Sequence, residues 1–125
     1  MERANDNNER RKSSRFDMDW PLEYRVTDAP DVHGGIAVNG SDEGLCIHSA
    51  RNMSVGTRLN IVVIYREEFR LTCFEVVAEI IWKDLCLKED WSGYQYGLEF
   101  VQIKEEDIRK VKKLFPSPIR YRGES

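Results

Sequence analysis

What most constrains this chain is alternation. Short stretches in which apolar and polar residues take turns are separated by clusters of glycine, asparagine, aspartate and proline. Trp20, Leu22, Tyr24 and Val26 alternate with Pro21, Glu23 and Arg25, the period of a strand with one buried face. Pro21 lacks an N–H, so it belongs at an edge or among the first residues of that strand. Asp28-Ala29-Pro30 and Gly34-Gly35 mark a loop. Short strands are expected around Ile36–Val38 and Leu45–His48, with the polar stretch from Asn39 to Gly44 as the tight turn between them. Asn52 to Gly56 is a further turn. Arg58 to Tyr65 and Phe69 to Trp82 are rich in Ile, Val, Phe and Thr, which suit a pleated, half-buried surface. Arg66-Glu67-Glu68 joins them as a hairpin turn without the glycine such turns favour. Asp84 to Gly93 reads as a loop, and Tyr94 to Val101 as the last strand.

One helix closes the pattern. Glu105-Glu106-Asp107 suit a positive N-terminal end, and Lys110, Lys112 and Lys113 suit the negative C-terminal end. Ile108, Val111, Leu114 and Phe115 fall on one stripe at helical spacing, and Pro116 and Pro118 stop the helix. About six short strands with regular turns, then one helix, predict a small barrel or sandwich with the helix on an open end or flank. At 125 residues the chain is one domain, large enough to bury a core without staples. The expected division is a mobile basic arm over residues 1–17, a barrel plus helix over 18–116, and a tail over 117–125.

No apolar stretch approaches the length of a membrane span, and the N-terminus carries no apolar signal segment. Cys46, Cys73 and Cys86 are odd in number and contain no CxxC pair, which predicts a reduced, cytoplasmic protein without disulfides. His33, Cys46 and His48 lack the paired spacing of a zinc site, so no metal is expected. Trp91, in a polar loop, reads as a core-packing side chain in preference to a contact anchor.

Two segments carry chemistry. Arg10-Arg11-Lys12-Ser13-Ser14-Arg15 holds four positive charges and no negative one, and removing them from the net −3 leaves −7 for the remainder. Arginine presents a planar fork that matches phosphate bidentately and a flat face that stacks on rings. Asn39-Gly40-Ser41-Asp42-Glu43-Gly44 places an amide, a hydroxyl and a glycine on one turn. Taken alone, the first segment is a solvated charge run and the second an ordinary hairpin turn.

Together, Arg11-x-x-x-Arg15 followed by Asn39-x-Ser41-x-x-Gly44 resembles the paired signature of the PilZ domain family, RxxxR then [D/N]xSxxG. Ala78-Glu79-Ile80-Ile81-Trp82 and Tyr96-Gly97-Leu98-Glu99-Phe100 look like the later strands of that family, and the resemblance covers roughly residues 10 to 115. It implies a six-stranded antiparallel, Greek-key-like β-barrel with a C-terminal α-helix and a flexible N-terminal arm. It also implies binding of the bacterial second messenger cyclic-di-GMP, with the signal relayed to a separate effector protein in motility, biofilm or related outputs. By the resemblance, Arg11 and Arg15 meet phosphate and the guanine Hoogsteen edge or face. Asn39 and Ser41 meet the guanine edge or backbone, and Gly44 keeps the turn tight. Arg10 adds a cation that accompanies a stacked pair of ligand molecules in similar proteins. Asn39 stands where many members carry Asp, which offers one carbonyl in place of a carboxylate.

Other classes are weaker. There is no nucleophile elbow, phosphate loop or metal pair, so no enzyme is expected and no cofactor beyond the ligand. A single-stranded nucleic-acid binder needs a basic groove with aromatic platforms, and the body of this chain is acidic. A degenerate PilZ-type adaptor that acts without the nucleotide would not need both motifs intact. A monomer is favoured.

Overall fold

In the computed structural model, residues 15–115 are described. The expected arm and tail, and with them Arg10 and Arg11, lie outside the described residues apart from residues 15–17. Six strands form a closed antiparallel barrel: β1 (Phe16–Val26), β2 (His33–Ser41), β3 (Gly44–Ser49), β4 (Arg58–Glu67), β5 (Arg70–Leu87) and β6 (Ser92–Ile103). A 3-10 turn (Glu105–Asp107) leads into the helix α1 (Ile108–Leu114). Around the barrel the order is β1-β2-β3-β6-β5-β4, so β3 to β4 is the one connection between strands that do not pair. The mainly β barrel with its C-terminal helix is one of the two architectures the alternation predicts, and the one the family resemblance implies.

The core is the inward half of each alternation. Leu22, Tyr24, Ala37, Leu45 and Ile47 are buried from one side, and Leu59, Ile61, Val63, Phe74 and Ile80 from the other. Each large aliphatic or aromatic side chain so buried contributes about 1.5–3 kcal/mol. The non-adjacent connection is pinned from inside. The buried Tyr96 hydroxyl donates to the Arg51 carbonyl at 2.6 Å and accepts from the Met53 N–H at 2.7 Å. Burial pushes the Tyr96 hydroxyl above its ordinary pKa.

The strands run further than the sequence suggests. β1 begins at Phe16, four residues before Trp20, because Phe16 pairs with Gly40 and its ring packs 6.0 Å from Phe115. Gly34 and Gly35 lie within β2 and not in a loop; a Cβ on Gly35 would come within 2.9 Å of the His48 carbonyl oxygen. The Asn39–Gly44 turn shrinks to Asp42-Glu43, since Asn39 pairs with Cys46 and Ser41 with Gly44. The Asp84–Gly93 loop is mostly ladder, with Asp84 to Leu87 paired to Gln95 to Ser92. Charged residues hid the period at the start of β1 and the end of β5, and glycines and small polar residues hid it in β2. Pro21 stands one residue before the first β1–β4 pair, in the stretch of β1 that pairs with β2 alone. That is the locally edge-like place a proline needs.

β5 has 18 residues and outruns both neighbours. Residues 70–75 pair only with β4, 76–79 with both neighbours, and 80–87 only with β6. The edge that β6 leaves open is covered by the helical segment. Asp107 Oδ2 accepts from the Glu75 N–H at 2.8 Å, and Lys110 Nζ donates to the Cys73 carbonyl at 2.9 Å. Val111 and Phe115 enter the core, and Phe115 packs on Trp20. Ile108, expected on the buried stripe, is instead half-exposed. No described helix is long and apolar enough to cross a membrane.

Candidate ligand-binding site

The register places one row of residues across five strands. Asp17 on β1 pairs with Asn39 on β2, Asn39 with Cys46 on β3, Cys46 with Gly97 on β6, and Gly97 with Trp82 on β5. The residues flanking this row on β3 and β6, Leu45, Ile47, Tyr96 and Leu98, are core, so the row faces outward. Three register shifts fall beside it, at Asp17/Trp20, Ala37/Asn39 and Ile80/Trp82. Bulges bend a strand and re-aim its side chains, and they concentrate next to binding sites.

Arg15 is brought to this row. Its Nε donates to Asn39 Oδ1 at 2.9 Å, a contact spanning 24 residues of chain. The second arginine of the basic segment therefore meets the first residue of the polar turn segment. Beneath them Cys46 is 3% exposed and hydrogen-bonds the side chains of Gln95 and Asn39. Burial raises its thiol above the ordinary value; the Gln95 bond, the Arg15 charge and the Asn39 bond pull it back only in part.

Ser41 and Gly44 shape the turn. Ser41 is 1% exposed, and its hydroxyl accepts from the Glu43 N–H at 3.1 Å. A Cβ on Gly44 would lie 1.9 Å from the Leu98 carbonyl oxygen, so only glycine lets β6 approach here. Glu43 extends the register by accepting from the Phe100 N–H at 2.9 Å.

The row continues into a second one. His48 pairs with Gln95 across β3 and β6, and Gln95 with Asp84 on β5. His48 Nε2 donates to Gln95 Oε1 at 3.2 Å, and the His48 ring stacks on Trp91 at 5.3 Å and 12°. Trp91 is thus half-buried on the outer face, not in the core. Trp82 lies over Gly97, where a Cβ would meet its Nε1 at 2.0 Å. His33 stands apart, beside Tyr24 and Arg51, so the three residues weighed as zinc ligands do not converge. Among the described residues, no group of three or more His, Cys, Asp or Glu is placed to hold a metal ion.

The family model of the PilZ domain matches residues 9–115. The chain belongs to the PilZ domain family. Solved structures agree in fold. The Bacillus subtilis inhibitor of motility MotI/DgrA is similar with a TM-score of 0.67 at 17% identity, over 93% of this chain and 53% of that one. The PilZ domain of Escherichia coli YcgR with c-di-GMP gives 0.66 at 15% identity, over 92% and 95%. K. pneumonia MrkH in its apo state gives 0.59 at 16% identity, over 90% and 52%. This PilZ chain spans about half the length of the MotI and MrkH chains. No curated protein matches it in sequence.

Of the site residues expected in this PilZ domain, Arg15 and Asn39 meet directly, and Ser41 and Gly44 support the turn beside them. Sequence reading missed Trp82, Gln95 and His48. Their place depends on pairing across β3, β6 and β5, which no local pattern encodes. A tryptophan opposite a glycine is a usable signal only once the register is known.

Proposed function

We propose that this chain is a cyclic-di-GMP receptor that passes its state to a separate protein partner. The Arg15–Asn39 hydrogen bond carries the reading, because it joins the RxxxR and NxSxxG segments on one outward row. Arg11 and Arg15 hold phosphate and the guanine Hoogsteen edge or face, and Arg10 adds a further cation for a stacked pair of ligands. Asn39 reads the guanine edge with Ser41 beside it, while Gly44 keeps β3 against β6. Support comes from the family and from the YcgR PilZ domain solved with c-di-GMP. The −7 body of the chain favours a local anion clamp over a broad nucleic-acid surface.

The energetics are plausible in size. A micromolar complex needs about 8 kcal/mol, and each charge-assisted hydrogen bond supplies about 1.5–3 kcal/mol. Ordering the arm costs about 1–2 kcal/mol per residue fixed. Several arginine contacts acting together are therefore required. Calorimetric titration of the full chain with cyclic-di-GMP, with GTP and cyclic-di-AMP as controls, tests the reading. Saturable binding of cyclic-di-GMP alone is expected. Heat indistinguishable from the controls would leave a protein–protein adaptor in its place.

A further inference from the structure

Beyond Ile80 the β5–β6 hairpin leaves the barrel with one edge open. Residues 80–87 of β5 pair with β6 alone. The other edge of β5 is last used at Ile80, whose N–H donates to the Thr57 carbonyl at 2.9 Å and whose carbonyl accepts from the Gly56 N–H at 2.8 Å. At the hairpin end the Lys88 N–H donates to the Trp91 carbonyl at 2.8 Å. Counting back from that bonded pair, Cys86 and Asp84 turn their N–H and C=O groups to β6, while Leu87, Leu85 and Lys83 turn theirs to the open edge. Among the described residues, no strand pairs with them there. We infer that this edge joins a second copy of the chain, so that two β5 strands pair antiparallel and the two hairpins form one four-stranded sheet. The inference is independent of the receptor reading, and it replaces the monomer expected from the sequence.

The edge is unguarded. Native sheet edges are blunted by charge, above all by lysine, or by proline and bulges. Lys83 is drawn back from it: its Nζ donates to Asn52 Oδ1 and lies 5.0 Å from the centre of the Tyr94 ring. The bulge between Ile80 and Trp82 sits at the barrel end, and residues 82–87 run without a further shift. Leu85 and Leu87 are 64% and 70% exposed, on the face of the hairpin that carries Tyr94.

The edge is also self-complementary in one register. A two-fold axis normal to the sheet keeps each side chain on its own face, so the register must centre on a residue. Centring on Lys83 or Asp84 sets a like charge directly opposite itself, which is destabilising. Centring on Leu85 sets Lys83 opposite Leu87 of the second copy, and centring on Leu87 sets Asp84 opposite Asp90 of the second copy. Centring on Cys86 matches every pair. Leu85 then meets Leu87 of the second copy on one face, and these two residues exchange the main-chain bonds. Asp84 meets Lys88 of the second copy on the other face. Asp84 and Lys88 are exposed, and among the described residues neither forms a salt bridge. Cys86 opposes itself in a non-hydrogen-bonded pair, with Cα atoms about 4.5 Å apart. That separation is within reach of a disulfide, so Cys86 reports the register. Because the strands run in opposite directions, the two barrels stand at opposite ends of the shared sheet and do not collide.

The test is sedimentation of the full chain from about 1 μM to about 1 mM, with charge-swapped variants. Wild type is expected to pass from monomer to dimer in that range. Asp84→Lys alone and Lys88→Asp alone each set like charges opposite one another and should weaken the dimer at least about tenfold. The double variant Asp84→Lys with Lys88→Asp restores unlike pairs and should return to within about threefold of wild type. Diamide oxidation of a Cys73→Ser chain should give a disulfide-linked dimer, and the further change Cys86→Ser should abolish it. Thermal unfolding checks that each variant keeps its barrel. A chain that stays monomeric throughout overturns the inference. So does a dimer that both single swaps leave unchanged, or one that the double swap fails to restore, since either would mean joining through another surface.

Discussion

The β2–β3 and β4–β5 hairpins are each closed by two residues, and they differ in almost everything else. β4–β5 runs ten consecutive pairs without a register shift. It ends on Glu68-Phe69, with Glu68 in left-handed backbone at φ 57° and Phe69 fully exposed. β2–β3 has five pairs and a bulge before Asn39. Its turn is flanked by a buried Ser41 and by a Gly44 pressed against the Leu98 carbonyl. The regular hairpin only has to hold the barrel and the helix, so nothing disturbs its ladder. The irregular one has to present side chains in directions that a regular pleat does not supply. Tolerance to change should follow the same division.

Matched substitutions at the two turns give the largest contrast. Gly44→Ala drives a methyl group into the backbone of β6 and should cost about 3 kcal/mol in urea unfolding. A cost below about 1 kcal/mol would show that β6 can yield there. The arginine contact comes next. Arg15→Ala should weaken cyclic-di-GMP by about 10–100-fold in calorimetry without moving the melting temperature, since it removes one or more charge-assisted bonds from an exposed side chain. Its counterpart, Lys113→Ala, breaks the surface pair with Glu67 and should change neither binding nor melting measurably.

A smaller effect separates buried from exposed on the site itself. The Cys46 thiol ionises later in the folded chain than in the unfolded one, chiefly through burial. Its contribution is therefore intact below the ordinary value of 9.0 and is lost as pH rises past it. Above about pH 8, wild type should lose stability more steeply than Cys46→Ala in urea melts. Burial raises Tyr65 and Tyr96 as well, but they act in both proteins and cancel in the comparison. Parallel slopes would mean that the thiol ionises freely in the fold. The smallest change is at the other turn. Glu68→Gly relieves left-handed backbone, about 1–2 kcal/mol, against a glycine entropy cost of about 0.5–1 kcal/mol. A net gain of up to about 1.5 kcal/mol in urea unfolding is expected, and a loss would mean that Glu68 holds the turn by its side chain.

Strand number, chain order and the closing helix were legible because their signals are local. Apolar period marks a strand wherever one face is buried, and the acidic start and basic end of the helix are read directly. Strand ends were less legible. Phe16, Met18 and Trp20 already alternate, but Asp17 and Asp19 between them follow a basic segment and look like tail. Leu85 and Leu87 alternate in the same way within a charged stretch. At the site, Arg15 and Asn39 were legible from motif spacing. Trp82, Gln95 and His48 were not, because bulges reset the register by an amount that side-chain pattern does not reveal. Trp91 was misread on bulk alone: a large ring in a turn can be covered by one histidine on the outside of a sheet.

The length of β5 has a mechanical meaning. Its first six residues pair with β4 alone and hold the helix, its last eight run along β6 alone and carry Trp82, and only Val76, Val77, Ala78 and Glu79 pair on both sides. Those four residues act as a lap joint. Their N–H groups point alternately to β4 and to β6, so the four exchange with solvent as a set only when both hairpins let go, and as a set they should be among the last of the described residues to do so. Stiffness acquired at Trp82 or in the Lys88–Trp91 turn has no loop to dissipate in before it reaches Cys73 and Glu75, where Lys110 and Asp107 are moored.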